Sequence, residues 1–446
     1  MSAKKSSVFD VGLTSANGNR KLRESLNNWV QTIPGWCKQA IIFLASFLIL
    51  VSQRPDAIFR PQFFIEDGPV FYTQAYSAGL LRPLFYTYAG YLHTFPRLVA
   101  DLAQFFPLAY APLIFNLLAL TLQIFPVQLL LSSRLTAIGS LRARLFLSLL
   151  YLCLPNSFAI HANLASSHWR LAILAFLVIV STPPRSKAAK LFDCSEVLMS
   201  GLTGPFAIML TPIAFLYWRK SRENWKLLLT SILAACAAVQ GTLILMAGQS
   251  DRIKEPQGAN LPLLIEIMAN HVFMGALIGR NILFHGHPLG ALVVTSLGIV
   301  TLLYGIFRGP LQLRLFILFA SLVLASSLAS PMMPSPVVSG IPAGPHLAGW
   351  QALALGWAQR YWYMPMLAFV ATLFWLLKPT APAVLHLGAI LCIVLMSFGV
   401  VRNWPFPPME DLQFSEYAEK FRQAPRGTVM VIPLNPQGWS MQLVKH

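Results

Sequence analysis

Acidic residues are scarce in this chain. There are 16 aspartates and glutamates among 446 residues, against 33 lysines and arginines, for a net charge of +17. Charged residues of both signs make up only 11% of the sequence. Cysteine is also sparse: Cys37, Cys153, Cys194, Cys236 and Cys392 all lie in or beside apolar runs, and none is spaced as a metal ligand. They read as small apolar packing residues. No phosphate-cradling glycine–lysine loop, no dinucleotide-binding glycine fingerprint and no His-Glu-x-x-His zinc motif occurs. The basic excess is not interleaved with aromatics, which argues against a nucleic-acid partner.

What is present is apolar. Hydrophobic residues make up 56% of the chain and the mean hydropathy is +0.61, the composition of a polytopic membrane protein. The expected fold is all-α, with about eleven membrane segments. Residues 1–38 read as a polar, basic cytoplasmic tail, interfacial near Trp29 and Trp36. The apolar run after it reads as a retained signal anchor, since no small-x-small cleavage site follows.

Spans are expected at residues 40–52, 109–131, 145–160, 171–182, 227–248, 288–307, 315–328, 361–377 and 383–401. Residues 195–217 are expected to form two half-spans broken at Gly201-Leu-Thr-Gly204-Pro205, because glycine and proline make such a break cheap. Residues 249–287 read as a mixed loop with one amphipathic stretch. This layout puts 19 of the 33 basic residues on the side of the N-terminus. By the positive-inside rule that side is cytoplasmic, leaving the C-terminus periplasmic. The domains are then the tail at 1–38, a membrane domain at 39–401 with its first outer loop at 54–107, and a short outer segment at 402–446. No repeat and no separate soluble catalytic domain is visible, so any chemistry is expected at the membrane face.

Scarcity makes Glu66-Asp67 conspicuous. The pair follows the first apolar run in Phe63-Phe64-Ile65-Glu66-Asp67-Gly68-Pro69, where Gly68-Pro69 sets a bend. A general base needs a fixed, partly desolvated carboxylate near its acceptor. A solvated loop or a helix cap would use the same residues. Next comes Tyr88-Ala-Gly90-Tyr91-Leu-His93, then Pro96-Arg97 and Asp101, in a stretch (93–106) with helical, interfacial spacing. Arg97 and Asp101 are spaced to pair on one helix face. His93, beside Tyr91, suits a substrate hydroxyl or phosphate, or simply a loop hydrogen bond.

His161, Asn163, His168 and Arg170 cluster at one outer turn. With no carboxylate nearby they make a weak metal site and suit sugar hydroxyls or phosphate better. An ordinary polar turn would also contain them. Arg280, Asn281, His285 and His287 lie at the outer end of an apolar stretch. Gln359-Arg360-Tyr361-Trp362-Tyr363 opens another. Arginine at such a boundary holds phosphate bidentately, or snorkels to headgroups beside an aromatic belt.

Taken together, the acidic pair after the first span, the interfacial stretch, the broken hairpin and the outer C-terminal segment resemble the GT-C class of membrane glycosyltransferases. Glu-Asp-Gly, Tyr-Ala-Gly-Tyr…Pro-Arg and the late Arg-Tyr-Trp-Tyr resemble bacterial members that modify surface polysaccharide such as O-antigen. The chain departs from the more familiar members in lacking a large C-terminal soluble domain.

The resemblance implies a bacterial inner-membrane enzyme with a periplasm-facing site and a polyprenyl-phosphate-linked sugar donor. A glycan or lipid-linked hydroxyl would be the acceptor, and displacement would invert the anomeric centre. It also implies an aspartate base, carried here to Asp67 with Glu66 as partner or alternate. Arg360, with Arg97 or Arg280, is then expected to hold the leaving phosphate, and His93, Tyr91, His161, His168 and Tyr361 the substrates. Many members of the class use a divalent metal, but the few acids here do not require one. Two rivals share these features: a flippase or transporter for lipid-linked sugars, and a glycan ligase or polymerase.

Overall fold

The computed structural model describes residues 34–247, 257–331 and 349–446. Most of the expected N-terminal tail, and residues 332–348 ahead of Arg360, lie outside these residues. Two compact units divide at Ala45/Ser46. In the first, the described residues begin an apolar helix, α1 (Gly35–Gln53). Every other element belongs to the second unit.

Leaving aside helices of six residues or fewer, those after α1 are α2 (Thr94–Ala103), α3 (Ala111–Leu131), α4 (Leu141–Leu152), α5 (Ser167–Val180), α6 (Lys187–Gly201), α7 (Phe206–Ser221) and α8 (Asn224–Ala247). Then come α9 (Leu261–Ile278), α10 (Pro288–Arg308), α11 (Leu311–Ala329), α12 (Tyr363–Leu376), α13 (Ala383–Arg402) and α14 (Phe414–Gln423). Two antiparallel hairpins complete the fold: β1 (Thr87–Tyr88) with β2 (Tyr91–Leu92), and β3 (Val429–Leu434) with β4 (Trp439–Val444). The architecture is all-α and polytopic apart from these ribbons. Among the described residues, seven helices are long and apolar enough to cross a membrane: α1, α3 (counted from Leu108), α8, α9, α10, α11 and α13.

Local chemistry sets several helix starts. Ser140, Ser186 and Asn260 accept the amides of Ala143, Ala189 and Leu263, capping α4, α6 and α9. Helix α5 is the centre of the bundle, with all 14 residues buried. A 14-residue helix is about 21 Å long, short of the roughly 30 Å hydrocarbon core. Its hydropathy alone cannot reveal that it is central rather than lipid-facing.

The break at Leu202–Pro205 separates α6 from α7 as the glycines and proline predict. Helix α8, which follows α7, runs alongside α6 in the same direction: Asp193, midway along α6, takes a hydrogen bond from Trp225 at the start of α8 at 3.3 Å, and Gly201 at the end of α6 packs against Cys236. Arg134 grips the same carboxylate with two nitrogens, at 2.8 and 2.6 Å. Asp193 is fully buried, and a bidentate guanidinium is the partner such a charge requires. The chain therefore doubles back at the break.

Three expectations are corrected. The stretch expected as a mixed loop with one amphipathic segment contains, in its described part (257–287), the 18-residue apolar helix α9. Its polar residues masked it in the sequence, and each is partnered: Glu266 with His285 (2.7 Å), Asn270 with the Phe284 amide (3.0 Å), His271 with the Ala354 carbonyl (2.8 Å). The expected span at 145–160 stops at Leu152, and the chain then runs without α-helix to Ser167. Arg97 and Asp101 form no direct ion pair. Asp101 accepts the Leu81 amide at 3.1 Å, and Arg97 donates to Gln74 at 2.7 Å.

The segment after α13 is folded against the loop that follows α1. Asn435 receives the Ile65 amide on its carbonyl (2.7 Å) and donates its side-chain amide to Gln62 (2.9 Å). Phe63 is buried among Tyr72, Phe115 and Phe414, with ring centroids 5.1–5.4 Å away and the last two edge-on. Ile432, Leu434, Trp439, Met441 and Leu443 close this core from the β3–β4 side. The strand alternates between faces: Ile432 is fully buried and Val431 is 56% exposed. Ile432→Ala should therefore cost about 2–5 kcal/mol, and Val431→Ala less than about 0.5 kcal/mol. Urea unfolding in mixed micelles, followed by protease release of the C-terminal segment, checks the contrast.

Candidate functional site

The acidic motif begins with a strained residue. Ile65 sits in the left-handed region at φ +51°, a genuine outlier for a β-branched side chain. Its amide is held by Asn435. A tight turn over Ile65–Asp67 comes next, in which successive side chains diverge by about 120°. Glu66 and Asp67 thus face different surroundings.

Asp67 is 1% exposed. Its two carboxylate oxygens accept the amides of Leu164 (3.2 Å) and Ala165 (2.7 Å). Burial raises its pKa well above the usual carboxylate range. The two amides pull it down and the Glu66 charge pushes it up, so burial prevails. This carboxyl ties the loop after α1 to the turn that starts α5.

Glu66 turns to a different cluster. Its Oε1 accepts the Tyr88 hydroxyl at 3.3 Å. Burial raises its pKa, against the pull of the Arg360 charge and the Tyr88 hydrogen bond. Glu66 and Arg360 both lie deep in the protein yet keep partial solvent access, the combination expected of groups lining a cleft. Burial opposes the charge on Arg360, but Tyr361, Glu66 and Tyr91 outweigh it and hold the guanidinium protonated.

The β1–β2 ribbon builds one wall. Ala89 and Gly90 both have positive φ, +57° and +85°, as a two-residue hairpin turn requires. That register sets Tyr88 directly opposite Tyr91. Two residues on, His93 lies on the same face as Tyr91, with ring centroids 4.8 Å apart. Burial lowers the His93 pKa well below its usual value, and His168 and Arg97 push the same way. The ring is therefore neutral at physiological pH. Neither of its nitrogens makes an aligned hydrogen bond within the protein; the backbone at Tyr88 approaches off-line.

The broken hairpin supplies the floor. His93 bridges Thr203, and the Gly204 amide donates to the Leu92 carbonyl at 2.9 Å. Gly204 has φ +88°, and a Cβ there would stand 2.9 Å from the Cβ of His168, so only glycine fits. His168 stacks on Phe206 at 5.5 Å and lies edge-on to His93 at 5.8 Å. Trp169 packs against Phe206 (4.8 Å) and Tyr361 (6.0 Å). The Arg360 guanidinium lies over the Tyr361 ring at 5.1 Å.

Glu66, Tyr91, His93, His168, Arg360 and Tyr361, all candidates from the sequence, therefore converge. Arg97 stands behind Phe71: its guanidinium is 5.6 Å from one ring, whose centroid is 5.4 Å from His93. Arg280 is exposed at the end of α9 and faces the turn at Gly356, four residues before Arg360. His161 belongs to another group, edge-on to Phe406 at 5.0 Å and flanked by Arg54 and Arg170. Among the described residues no three His, Cys, Asp or Glu side chains come close enough to hold a metal.

Tyr88, part of the Tyr-Ala-Gly-Tyr motif, holds Glu66, and one contributor is new relative to the sequence reading. Gln240, buried within α8, accepts the Leu92 amide (2.9 Å) and donates to the Gly204 carbonyl (3.2 Å), clamping the ribbon onto the hairpin break. A lone glutamine in an otherwise apolar span was its only signal. Compared with family models, curated proteins and solved structures, the chain matches none.

The two acids should separate on substitution. Asp67→Asn turns an amide donor toward a backbone donor in a buried site, a cost of about 1–3 kcal/mol. The variant should melt lower in detergent, whereas Glu66→Gln should melt like the parent; equal melting of all three proteins would refute the anchoring role of Asp67. In infrared titration, the carboxyl band lost in Glu66→Gln should titrate above the ordinary glutamate range. Tyr88→Phe, which removes a hydrogen bond to the ionised form, should move that band to still higher pH.

Proposed function

We propose that this chain is a membrane glycosyltransferase that moves a sugar from a polyprenyl-phosphate donor to a hydroxyl of a glycan or lipid-linked acceptor. The feature that carries the reading is the charge interaction of Glu66 with Arg360, a carboxylate and a guanidinium 294 positions apart in sequence, beside aromatic rings and a neutral imidazole. A glycosyl phosphate needs these two opposite charges. The acceptor must lose a proton, and the leaving phosphate gains negative charge in the transition state.

Glu66 takes the acceptor proton. The raised pKa makes it a stronger base than a solvated glutamate, and Arg360 keeps enough of it ionised to act. The acceptor oxygen attacks the anomeric carbon as the bond from that carbon to the phosphate oxygen breaks. The electron pair leaves with polyprenyl phosphate, which Arg360 receives; Arg280 lies on the approach. One displacement inverts the anomeric centre. Tyr88, Tyr91 and Tyr361 offer ring faces and hydroxyls for sugar. His93 can accept or donate a hydrogen bond to a sugar hydroxyl without adding charge. Asp67 acts as a positioning residue through the Leu164–Ala165 turn. In this reading the cleft faces the periplasm of a bacterial inner membrane, and no metal is required.

Mass spectrometry of surface polysaccharide, from cells expressing each protein at matched membrane levels, tests the assignment. Glu66→Gln should lower one sugar substituent about 100-fold or more. Arg360→Lys keeps the charge but not the bidentate grip and should retain partial transfer. An unchanged substituent in Glu66→Gln would overturn the base assignment. An unchanged substituent in both variants would overturn transfer at this cleft and bring forward transport of lipid-linked sugars.

A further inference from the structure

A second concavity lies at the other end of α12. Arg360 stands just before this helix, whose 14 residues span about 21 Å. Beyond its far end a cavity of about 420 Å³ opens between the α10–α11 and α12–α13 connections, a volume typical of small-ligand sites. Tyr304, Arg308, Gly309, Trp375 and Lys378 are among the residues that line it.

The charge there is one-signed. No aspartate or glutamate occurs between Glu266 and Glu410. Neither Arg308 nor Lys378 forms a salt bridge among the described residues. Lys378 instead sits over the Trp375 ring at 6.0 Å, and Trp375 packs on Tyr304 at 5.8 Å. Two helix C-termini, those of α10 and α12, end at the cavity, and both have partners: His386 Nδ1 lies 3.0 Å from the Leu376 carbonyl at the end of α12. Arg314 donates to the carbonyls of Gly309 (2.6 Å) and Phe307 (3.0 Å). The start of the 19-residue helix α11 adds positive potential beside Pro310. The helices flanking the cavity carry exposed apolar side chains up to its rim, Leu303 and Phe307 on α10, Val384 and Leu387 on α13.

We infer that this cavity binds the phosphate of an anionic phospholipid headgroup, with Arg308 and Lys378 on the phosphate and the acyl chains along the exposed faces of α10 and α13. Two uncompensated cations supply the charge. Tyr304 and Trp375 match the aromatic lining found at headgroup depth. The apolar rim distinguishes a lipid from a soluble phosphate. This site is independent of the glycosyltransferase reading, since it shares no residue with the Glu66–Arg360 cleft.

Native mass spectrometry of the full chain, in micelles holding equal phosphatidylglycerol and phosphatidylcholine, provides the test. The parent should retain phosphatidylglycerol preferentially. Arg308→Gln with Lys378→Gln should weaken that binding roughly thirtyfold, from two lost cation–headgroup contacts. Lys420→Gln with Arg426→Gln removes the same charge from the C-terminal segment and should leave binding unchanged. Arg308→Lys should largely retain it. If the double variant melts below the parent, Lys378→Gln alone, in an exposed turn, should still show a several-fold loss. Equal retention of the two lipids, or an equal loss in the Lys420/Arg426 pair, would overturn the site. Displacement of phosphatidylglycerol by an equal concentration of glycerol phosphate would overturn its assignment to a lipid.

Discussion

The pair of hydrogen bonds from Leu164 and Ala165 to the Asp67 carboxylate organises the cleft. It joins two loops nearly a hundred residues apart. One carries Glu66. The other launches the central buried helix with His168 and Trp169 on its first turn. An exposed bond of this kind would contribute little, since water competes for both partners. Here burial removes water, so leaving the amides or the carboxylate unpaired is costly. That cost fixes the acidic turn against the start of α5, and so the placement of Glu66 relative to His168 and Trp169.

The remaining contacts work by the same rule. Irregular backbone is tolerated deep in an apolar protein only where its polar groups are satisfied. The break at Leu202–Pro205 meets it by pairing with Leu92–Phe95, and Gln240 reaches from α8 to carbonyls and an amide on both segments. The hairpin break and the tyrosine ribbon therefore support each other. Neither has enough partners of its own to be stable where it sits.

Much of this was legible in the residues. The scarcity of acids drew attention to Glu66-Asp67, and Gly204-Pro205 announced the break. Tyr-Ala-Gly-Tyr carries the hairpin turn that aims Tyr88 and Tyr91. Other features were hidden for physical reasons. Adjacent acids in a tight turn diverge, and nothing local says which one faces the cleft. Helix α9 was obscured because Glu266, Asn270 and His271 lower its hydropathy, and their compensating partners are distant in sequence. Arg97, Arg280, His161 and Arg360 look alike as boundary cations and histidines. Only tertiary packing brings Arg360 to Glu66 and leaves His161 beside Phe406.

The β3–β4 ribbon gives the protein a temporal order. The residues it packs against, Phe63 and Ile65, lie in the loop after α1, yet the ribbon is synthesised only after every helix from α1 to α14. Until then the acidic turn has no Asn435 to hold its left-handed residue, and Phe63 lacks one side of its packing. Insertion of the helices and maturation of the cleft are therefore separate events. A nascent chain can carry every helix while the Ile65–Asn435 contact and the far side of the Phe63 packing are still missing, so the last two strands complete a wall that the loop after α1 begins.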